Sequence, residues 1–165
     1  MATPNVTAAR LREVLHYDPE TGVFTWKVKA SNRIKVGDIA GTIVKSGYIS
    51  ISIDADMIRA HRLAWLYMND EWPVGDIDHI DGNRANNALS NLRDVSRSKN
   101  LQNLKRAHSD NKASGLLGVY ADKKKWAASL TLNGKRFRLG VFDSPEEAHI
   151  AYLEAKRKLH EGCTI

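Results

Sequence analysis

The stretch that says most about the fold is residues 126–147, WAASLTLNGKRFRLGVFDSPEE. Asn133-Gly134 is the strongest two-residue signal for a β-hairpin. Apolar and polar residues alternate on both sides of it, as in strands with one buried face. Ser144 and Glu147 then give the pattern of a helix N-cap with its capping-box partner. The stretch therefore predicts two antiparallel strands joined by a tight turn and followed by a helix.

A third strand precedes this hairpin, so we expect a three-stranded antiparallel sheet packed on one helix. The predicted strands are Leu116 to Tyr120, Trp126 to Leu132 and Arg136 to Phe142. Alternation assigns the apolar residues to the face that meets the helix. These are Trp126, Ala128, Leu130, Leu132, Phe137, Leu139 and Val141.

The opposite face of this sheet is predicted to be polar and basic. Such a face can enter the major groove of DNA, which admits strands as well as helices. An ordinary solvated sheet face is an equal alternative on the pattern alone. The candidate DNA-contacting residues are Tyr120, Lys123, Lys125, Ser129, Thr131, Arg136 and Arg138.

The first seventy residues predict a small mixed α+β region without an internal repeat. Its predicted elements are a helix over 7–16, a strand over 23–28, a hairpin with arms 39–44 and 48–53, and a helix over 57–68. The polar stretch 108–113 is predicted to be a linker.

Charge is unevenly spread along the 165 residues, which carry a net charge of +6. Residues 1–100 hold 13 Lys and Arg against 12 Asp and Glu, whereas residues 101–165 hold 12 against 7. A basic module joined to a near-neutral one indicates a polyanion partner, although many basic proteins bind none.

Other classes are excluded by what the sequence contains. The single cysteine, Cys163, allows neither an internal disulfide nor a cysteine-based zinc site. No apolar run approaches the roughly 18 residues of a membrane span, and the first residues do not form a secretory signal. We expect an intracellular protein with no membrane partner.

Residues 76–107 are too polar to form a core, and they contain a candidate nuclease site. Phosphodiester hydrolysis needs a base with a pKa near operating pH, and His79 fits. It also needs a hard cation, which takes oxygen ligands such as those of Asp78 and Asn100. Asn91 is suited to holding the imidazole or its loop in one orientation. Each residue alone is more often structural; their combination is more specific.

These residues resemble the HNH endonuclease family, with Asn in the third motif position. Asp78-His79, Asn91 and Asn100 follow one another at spacings of eleven and eight intervening residues. Residues 59–65, RAHRLAW, resemble the helix before the motif in phage-type homing endonucleases. His61 within this helix is read as a packing residue. The resemblance covers about residues 15–105.

The HNH resemblance implies a ββα-metal finger over residues 71–107. It implies His79 as general base, Asn91 as the residue that positions it, and Asp78 and Asn100 as ligands of one Mg²⁺ or Mn²⁺. Arg93 is a weaker candidate for a phosphate contact. Because neighbouring strand residues face opposite sides, Asp78 and His79 can converge only at a strand end or a bulge.

Residues 114–161 resemble the AP2 DNA-binding domain. The resemblance rests on 117–119 (LGV), 125–128 (KWAA), 139–142 (LGVF) and 146–152, which contains EEA and AY. It implies a sheet laid in the major groove and backed by a helix. Plant members tend to have arginine where this sequence has Leu117 and Tyr120, so base preference does not carry over. Lys105 and Arg106, between the two modules, are predicted to follow the DNA backbone.

Together these observations predict an α+β protein with a supporting region (1–70), an HNH finger (71–107), a linker (108–113) and an AP2-like domain (114–165). The predicted function is a metal-dependent homing-type DNA endonuclease. We expect double-stranded DNA as partner, no protein partner, a monomer or weak dimer that nicks one strand, and a phage-encoded protein in the bacterial cytoplasm. The alternatives are a non-catalytic DNA-binding regulator and, third, an enzyme acting on RNA.

Overall fold

The computed structural model describes residues 5–104, 107 and 111–160. The chain folds as two compact units, Met1–Val95 and Ser96–Ile165, each considered over those described residues. Within them lie four α-helices and ten short strands, which pair antiparallel in small sheets. The predicted α+β class is therefore confirmed. No helix in the described part of the chain is long and apolar enough to cross a membrane.

The first unit contains two helices, seven strands and one 3₁₀ turn among its described residues. In chain order these are α1 (Ala8–Val14), β1 (Leu15–Tyr17), β2 (Phe24–Trp26), β3 (Thr42–Ile43), β4 (Ile49–Ile53), β5 (Asp56–Arg59), α2 (Ala60–Asn69), β6 (Asp76–His79), the 3₁₀ turn Leu89–Asn91 and β7 (Leu92–Val95). Helix α1 begins where predicted, since the Thr7 hydroxyl accepts a hydrogen bond from the backbone N–H of Arg10 at 3.2 Å.

The predicted helix over 57–68 begins too early. Residues Asp56–Arg59 form β5, which pairs with β4, and α2 starts only at Ala60. Asp54 and Ala55 have φ angles of 49° and 72°, the left-handed conformation of a two-residue hairpin turn. This turn brings the chain back beside β4. Residues 57–59, which the apolar pattern assigned to a helix, therefore pair with β4 as part of a strand.

One apolar core joins the elements of the first unit. Tyr17 of β1 and Phe24 of β2 lie with ring centroids 4.6 Å apart, and both rings contact Tyr67 of α2. Ile77 of β6 and Leu92 of β7 are buried in the same core. The β6–β7 hairpin is therefore fixed to the supporting region by apolar packing.

The second unit consists of a short helix followed by a sheet and a longer helix. Its described elements are α3 (Arg97–Gln102), β8 (Val119–Asp122), β9 (Lys125–Leu132), β10 (Lys135–Phe142) and α4 (Pro145–Leu159). The Ser144 hydroxyl accepts a hydrogen bond from the backbone N–H of Glu147 at 3.2 Å, as the capping pattern predicts. The sheet order β10-β9-β8 matches the predicted antiparallel sheet, although β8 begins later than expected.

The late start of β8 has a steric cause. Gly118 has a φ of 78°, and a Cβ placed there would lie 2.0 Å from Cδ2 of Tyr152 on α4. Tyr152 is buried in the unit's core with Val119 and Leu130. The chain therefore passes the helix in a left-handed bend at Gly118 before it can pair as a strand.

The predicted face of β10 is wrong at Val141. The pairing with β9 shifts between Arg138 and Gly140, which is the signature of a β-bulge. Beyond the bulge Val141 pairs with Ala127 on the outer face and is 45% exposed, whereas Phe142 packs against the core. One extra residue thus reverses the alternation.

Phe137 lies opposite Leu130, on the side predicted, but remains 47% exposed.

The division between the two units falls inside the predicted HNH finger, residues 71–107. Strands β6 and β7 belong to the first unit, whereas α3 belongs to the second. The limits proposed for the HNH finger stay a prediction.

We expect Gly118→Ala to destabilise the second unit more than Gly134→Ala. Both glycines have a positive φ, but a Cβ at Gly134 meets nothing within 4 Å. Alanine at Gly134 should cost about 1 kcal/mol in backbone strain, and the clash with Tyr152 should add roughly 2 kcal/mol at Gly118. Urea unfolding of both variants measures the difference. Equal losses would contradict the steric role given to Gly118.

Candidate active site

The candidate site lies on the β6–β7 hairpin, which is held at both ends. His79 pairs with Leu92 and Asp78 with Arg93 in a regular antiparallel register. At the open end, the Asp94 carboxylate accepts hydrogen bonds from the backbone N–H groups of Val74 and Gly75 at 2.9 and 2.8 Å. The hairpin is thus fixed by the β6–β7 strand pairing, by the core packing of Ile77 and Leu92, and by the Asp94 carboxylate.

Asp78 and His79 are neighbours on β6, and their contacts lie in different directions. Asp78 lies against Arg93 of the facing strand. His79 contacts Asn87, and its ring lies near His61. The register shows no bulge here, and His79 is the last residue of β6. His79 therefore stands at a strand end, and the convergence of Asp78 and His79 on one ion stays a prediction.

The His79 imidazole is buried, with 4% of the residue exposed. Its Nε2 lies 3.2 Å from Oδ1 of Asn87. Since an amide oxygen only accepts, Nε2 carries the proton and the lone pair of the neutral ring is on Nδ1. Burial lowers the pKa of His79, against the opposing effect of the Asn87 hydrogen bond. The imidazole therefore favours the neutral form that a general base requires.

Asn87 is the contact of His79 that sequence reasoning missed. Its backbone oxygen accepts a hydrogen bond from the Tyr17 hydroxyl at 2.7 Å. A Cβ at Gly22 would lie 2.2 Å from the carbonyl carbon of Asn87, so only glycine allows this approach. Asn87 is one of several asparagines in this stretch, and nothing local distinguishes it. The distinguishing contacts come from residues about seventy positions earlier.

Asn91, predicted to position His79, shapes the loop that follows it. Its side-chain oxygen accepts from the backbone N–H of Asp81, and its Nδ2 donates to Oδ1 of Asp81 and to the backbone oxygen of Asn86, each at 2.9 Å. Its backbone oxygen accepts from the N–H of Ile80, also at 2.9 Å. These bonds close the loop directly after the imidazole.

His61 of α2 belongs to the same cluster, although the sequence favoured a packing role. Its ring centroid lies 5.1 Å from that of His79, edge to face, and 5.1 Å from the ring of Tyr48. Burial, with smaller effects from the charges of His79, Arg62 and Arg59, lowers the pKa of His61 to about 3. Its Nδ1 is buried and has no hydrogen-bond partner among the described residues.

Asp78, the predicted metal ligand, is buried and paired with Arg93. Oδ2 of Asp78 accepts from Nε and Nη2 of Arg93 at 2.9 and 2.7 Å. Arg93, predicted to touch a phosphate, thus holds the carboxylate in this structure. In the described part of the chain, no three His, Cys, Asp or Glu side chains form a metal cage. One carboxylate still fits Mg²⁺, which takes one or two and completes its shell with water and phosphate oxygens.

Asn100, the second predicted ligand, lies on α3 in the second unit. The Ser96 hydroxyl caps this helix by accepting from the backbone N–H of Lys99 at 3.3 Å, and the backbone oxygen of Asn100 accepts from Asn103. Its role as a ligand stays a prediction. Lys105 and Arg106 lie outside the described residues.

The outer face of the β8–β10 sheet brings together most of the predicted DNA-contacting residues. Arg138 pairs with Ser129 and Arg136 with Thr131, which places all four on one face, and Tyr120 joins them. The Arg136 guanidinium lies 4.5 Å from the Tyr120 ring centroid, and its Nε donates to the Ser129 hydroxyl at 2.8 Å.

Two cations of this face are paired with carboxylates. Arg138 pairs with Asp122, and Nζ of Lys125 lies 2.8 Å from Oδ1 of Asp143. An open depression adjoins these pairs. It is lined by Asp122, Lys123, Lys124, Lys125, Arg138 and Val141. The face is therefore basic, as expected, but less so than the count of lysines and arginines suggested.

We expect His61 to make the first unit sensitive to acid. Its pKa lies at about 3 in the fold, below its ordinary 6.5, so the unfolded chain binds more protons between these values. Stability is therefore fully present above pH 6.5 and falls as the pH drops towards 3. Between pH 7 and 4.5 His61 should account for about 2 kcal/mol of lost stability.

Urea unfolding at several pH values tests this with His61→Gln. The stability of the variant should depend less steeply on pH than that of the wild type. His16→Gln, at an exposed histidine of β1, is the matched control and should keep the wild-type slope. A His61→Gln slope equal to that of the wild type would count against this account.

Comparison with known proteins finds a related domain over the same residues. A family model described as HNH endonuclease matches residues 59–102, which include His61, Asp78, His79 and Asn91. Protein 3.8 of Escherichia phage T7 is 36% identical over 105 residues, a match that covers 62% of this chain and 84% of that protein. No solved structure matches significantly. The chain therefore belongs to the family of Protein 3.8 and carries an HNH endonuclease domain at residues 59–102.

Proposed function

We propose that this protein is a divalent-metal-dependent DNA endonuclease of the homing type, in which His79 is the general base. The observation that carries this proposal is the buried imidazole, whose Nε2 proton is held by Asn87. This bond leaves the acceptor lone pair on Nδ1, and the lowered pKa keeps the ring neutral. The match of residues 59–102 to the HNH endonuclease family supports the same chemistry.

In the proposed reaction Nδ1 of His79 takes a proton from water, and the water oxygen attacks the phosphorus as the bond to the leaving oxygen breaks. Asn87 stabilises the imidazolium through the Nε2–H bond, and Asn91 keeps the following loop in place. Asp78 and Asn100 are the residues that would hold Mg²⁺ or Mn²⁺. When bound, the cation neutralises charge that develops on the phosphate and the leaving oxygen.

Arg93 acts on Asp78 in this proposal. Its two hydrogen bonds fix one carboxylate oxygen, so the orientation of the carboxylate is set before any ligand binds. The direct phosphate contact expected of Arg93 from the sequence stays a prediction.

We propose the outer face of the β8–β10 sheet as a second, AP2-like contact with double-stranded DNA. Arg136 is already ordered by Tyr120 and Ser129, which lowers the entropy cost of placing it against a phosphate or base. Lys123 and Lys124 have no carboxylate within ion-pair distance among the described residues. Lys105 and Arg106 are proposed to contact the DNA backbone.

Replacing His79 by alanine should lower the cleavage rate by roughly 10²–10⁴-fold, the usual contribution of a general base, with DNA binding retained. Cleavage of a DNA pool with Mg²⁺, with Mn²⁺ and with chelator measures this, and chelator should abolish wild-type cleavage. His79→Gln serves as a second variant if alanine perturbs folding, and His16→Ala is the control.

The same experiment separates the enzyme from the alternative, a DNA-binding regulator. Wild-type protein that binds DNA but cuts it with neither Mg²⁺ nor Mn²⁺ would establish the regulator instead.

A single base and a single ion predict that one molecule cuts one strand. Supercoiled plasmid should first convert to open circles at a rate proportional to enzyme concentration, and linear DNA should appear only when two molecules act. Sedimentation of the protein alone gives its oligomeric state. Linear product formed in first-order dependence on enzyme would contradict nicking by a monomer.

A further inference from the structure

A cationic surface lies beside the His79 cluster in the first unit. Two guanidinium groups approach the half-buried ring of Tyr48: Cζ of Arg84 lies 5.0 Å and Cζ of Arg59 lies 5.6 Å from its centroid. The same ring lies 5.1 Å from the ring of His61 and 5.9 Å from that of His79. The Tyr48 ring is therefore close to both guanidinium groups and to both imidazoles of the cluster.

Both arginines are ordered by hydrogen bonds to neutral groups. Nη1 of Arg59 donates to the Ser50 hydroxyl at 2.5 Å, and Nη1 of Arg84 donates to the backbone oxygen of Ser46 at 2.9 Å. A guanidinium has five N–H donors, so each arginine uses only part of its capacity in these bonds.

Neither Arg59 nor Arg84 has a carboxylate within ion-pair distance among the described residues. Other arginines of this unit differ: Arg10 pairs with Asp54 and Glu13, and Arg12 with Asp70. Within the part of the chain that the structure describes, no carboxylate therefore neutralises the positive charge at Tyr48.

We propose that Arg59 and Arg84 bind the DNA backbone phosphates next to the scissile phosphodiester, and that Tyr48 holds both guanidiniums in place. Planar guanidiniums bind phosphate oxygens in pairs, which fixes orientation as well as charge. Because Tyr48 also contacts His79, a strand held there is positioned relative to the base. This inference rests on the proposed nuclease function and names the side chains that grip its substrate.

The arrangement has a kinetic consequence for the proposed reaction. Holding the flanking phosphates restricts the scissile phosphate to one position relative to Nδ1 of His79, which lowers the entropy cost of attack. Arg59 and Arg84 act as binding residues here, and no proton transfer is assigned to them.

The test measures DNA binding against salt concentration, with chelator present to prevent cleavage. The probe is a labelled double-stranded DNA of random sequence, since its binding depends on phosphate contacts. Each phosphate contact contributes about 0.9 to the slope of log K against log salt. Arg59→Gln and Arg84→Gln should each reduce the slope by about 0.9 and the double variant by about 1.8. Glutamine retains donors for Ser50 and the Ser46 carbonyl.

Arg33→Gln is the matched control, since Arg33 is an exposed arginine of the same unit that makes no ring contact with Tyr48 among the described residues. Its slope should equal that of the wild type. Unfolding midpoints of all variants check that the fold is kept. A double variant with the wild-type slope, or an Arg33→Gln slope that falls as far as the double variant's, would overturn the proposal.

The outcomes separate this inference from the nuclease proposal. If the wild type cleaves DNA and the variants keep the wild-type slope, the nuclease proposal is supported and the phosphate site at Arg59 and Arg84 is overturned. Reduced slopes without wild-type cleavage establish the phosphate site on a DNA-binding protein that is not a nuclease. Under cleaving conditions Arg84→Lys, which keeps the charge but not the paired donors, should restore part of the kcat/KM lost in Arg84→Gln.

Discussion

The hydrogen bond between His79 Nε2 and Asn87 Oδ1 is the contact on which the candidate site depends. It selects one tautomer of the imidazole and so decides which nitrogen can accept a proton. It is itself held from outside the motif, because Tyr17 binds the Asn87 carbonyl and Gly22 lets the chain approach. The supporting region thus does more than carry the hairpin, because it holds the residue that fixes the tautomer of the proposed base.

Burial of this imidazole has a cost that the first unit offsets elsewhere. His61 and His79 lie edge to face inside one cluster, and both have lowered pKa values, so protonation of either ring opposes folding. The apolar contacts of Tyr17, Phe24 and Tyr67 stabilise the same region. The neutral form of the base is therefore favoured mainly by burial, and the nearby charge of Arg84 lowers the pKa of His79 further.

The cationic groups of the first unit fall into two kinds. Arg93 is engaged by Asp78, so its charge is used to orient a carboxylate. Arg59 and Arg84 lie on Tyr48 with neutral hydrogen-bond partners, so their charge is available to a phosphate. All three residues are arginines. The proposed roles differ because folding places a carboxylate beside Arg93 and an aromatic ring beside Arg59 and Arg84.

Features that depend on short spacings can be predicted from the amino-acid sequence alone. These include the α+β class, the Asn133-Gly134 hairpin, the Ser144 cap and the Asp78-His79 motif, because turn, cap and strand patterns act over a few residues. The tertiary structure alone decided the partners of His79, the pairing of Arg93, the strand β5 and the outward turn of Val141. Folding brings His79 and Arg93 to their partners, the left-handed turn at Asp54 and Ala55 creates β5, and a bulge turns Val141 outward. None of these leaves a recognisable pattern in the sequence.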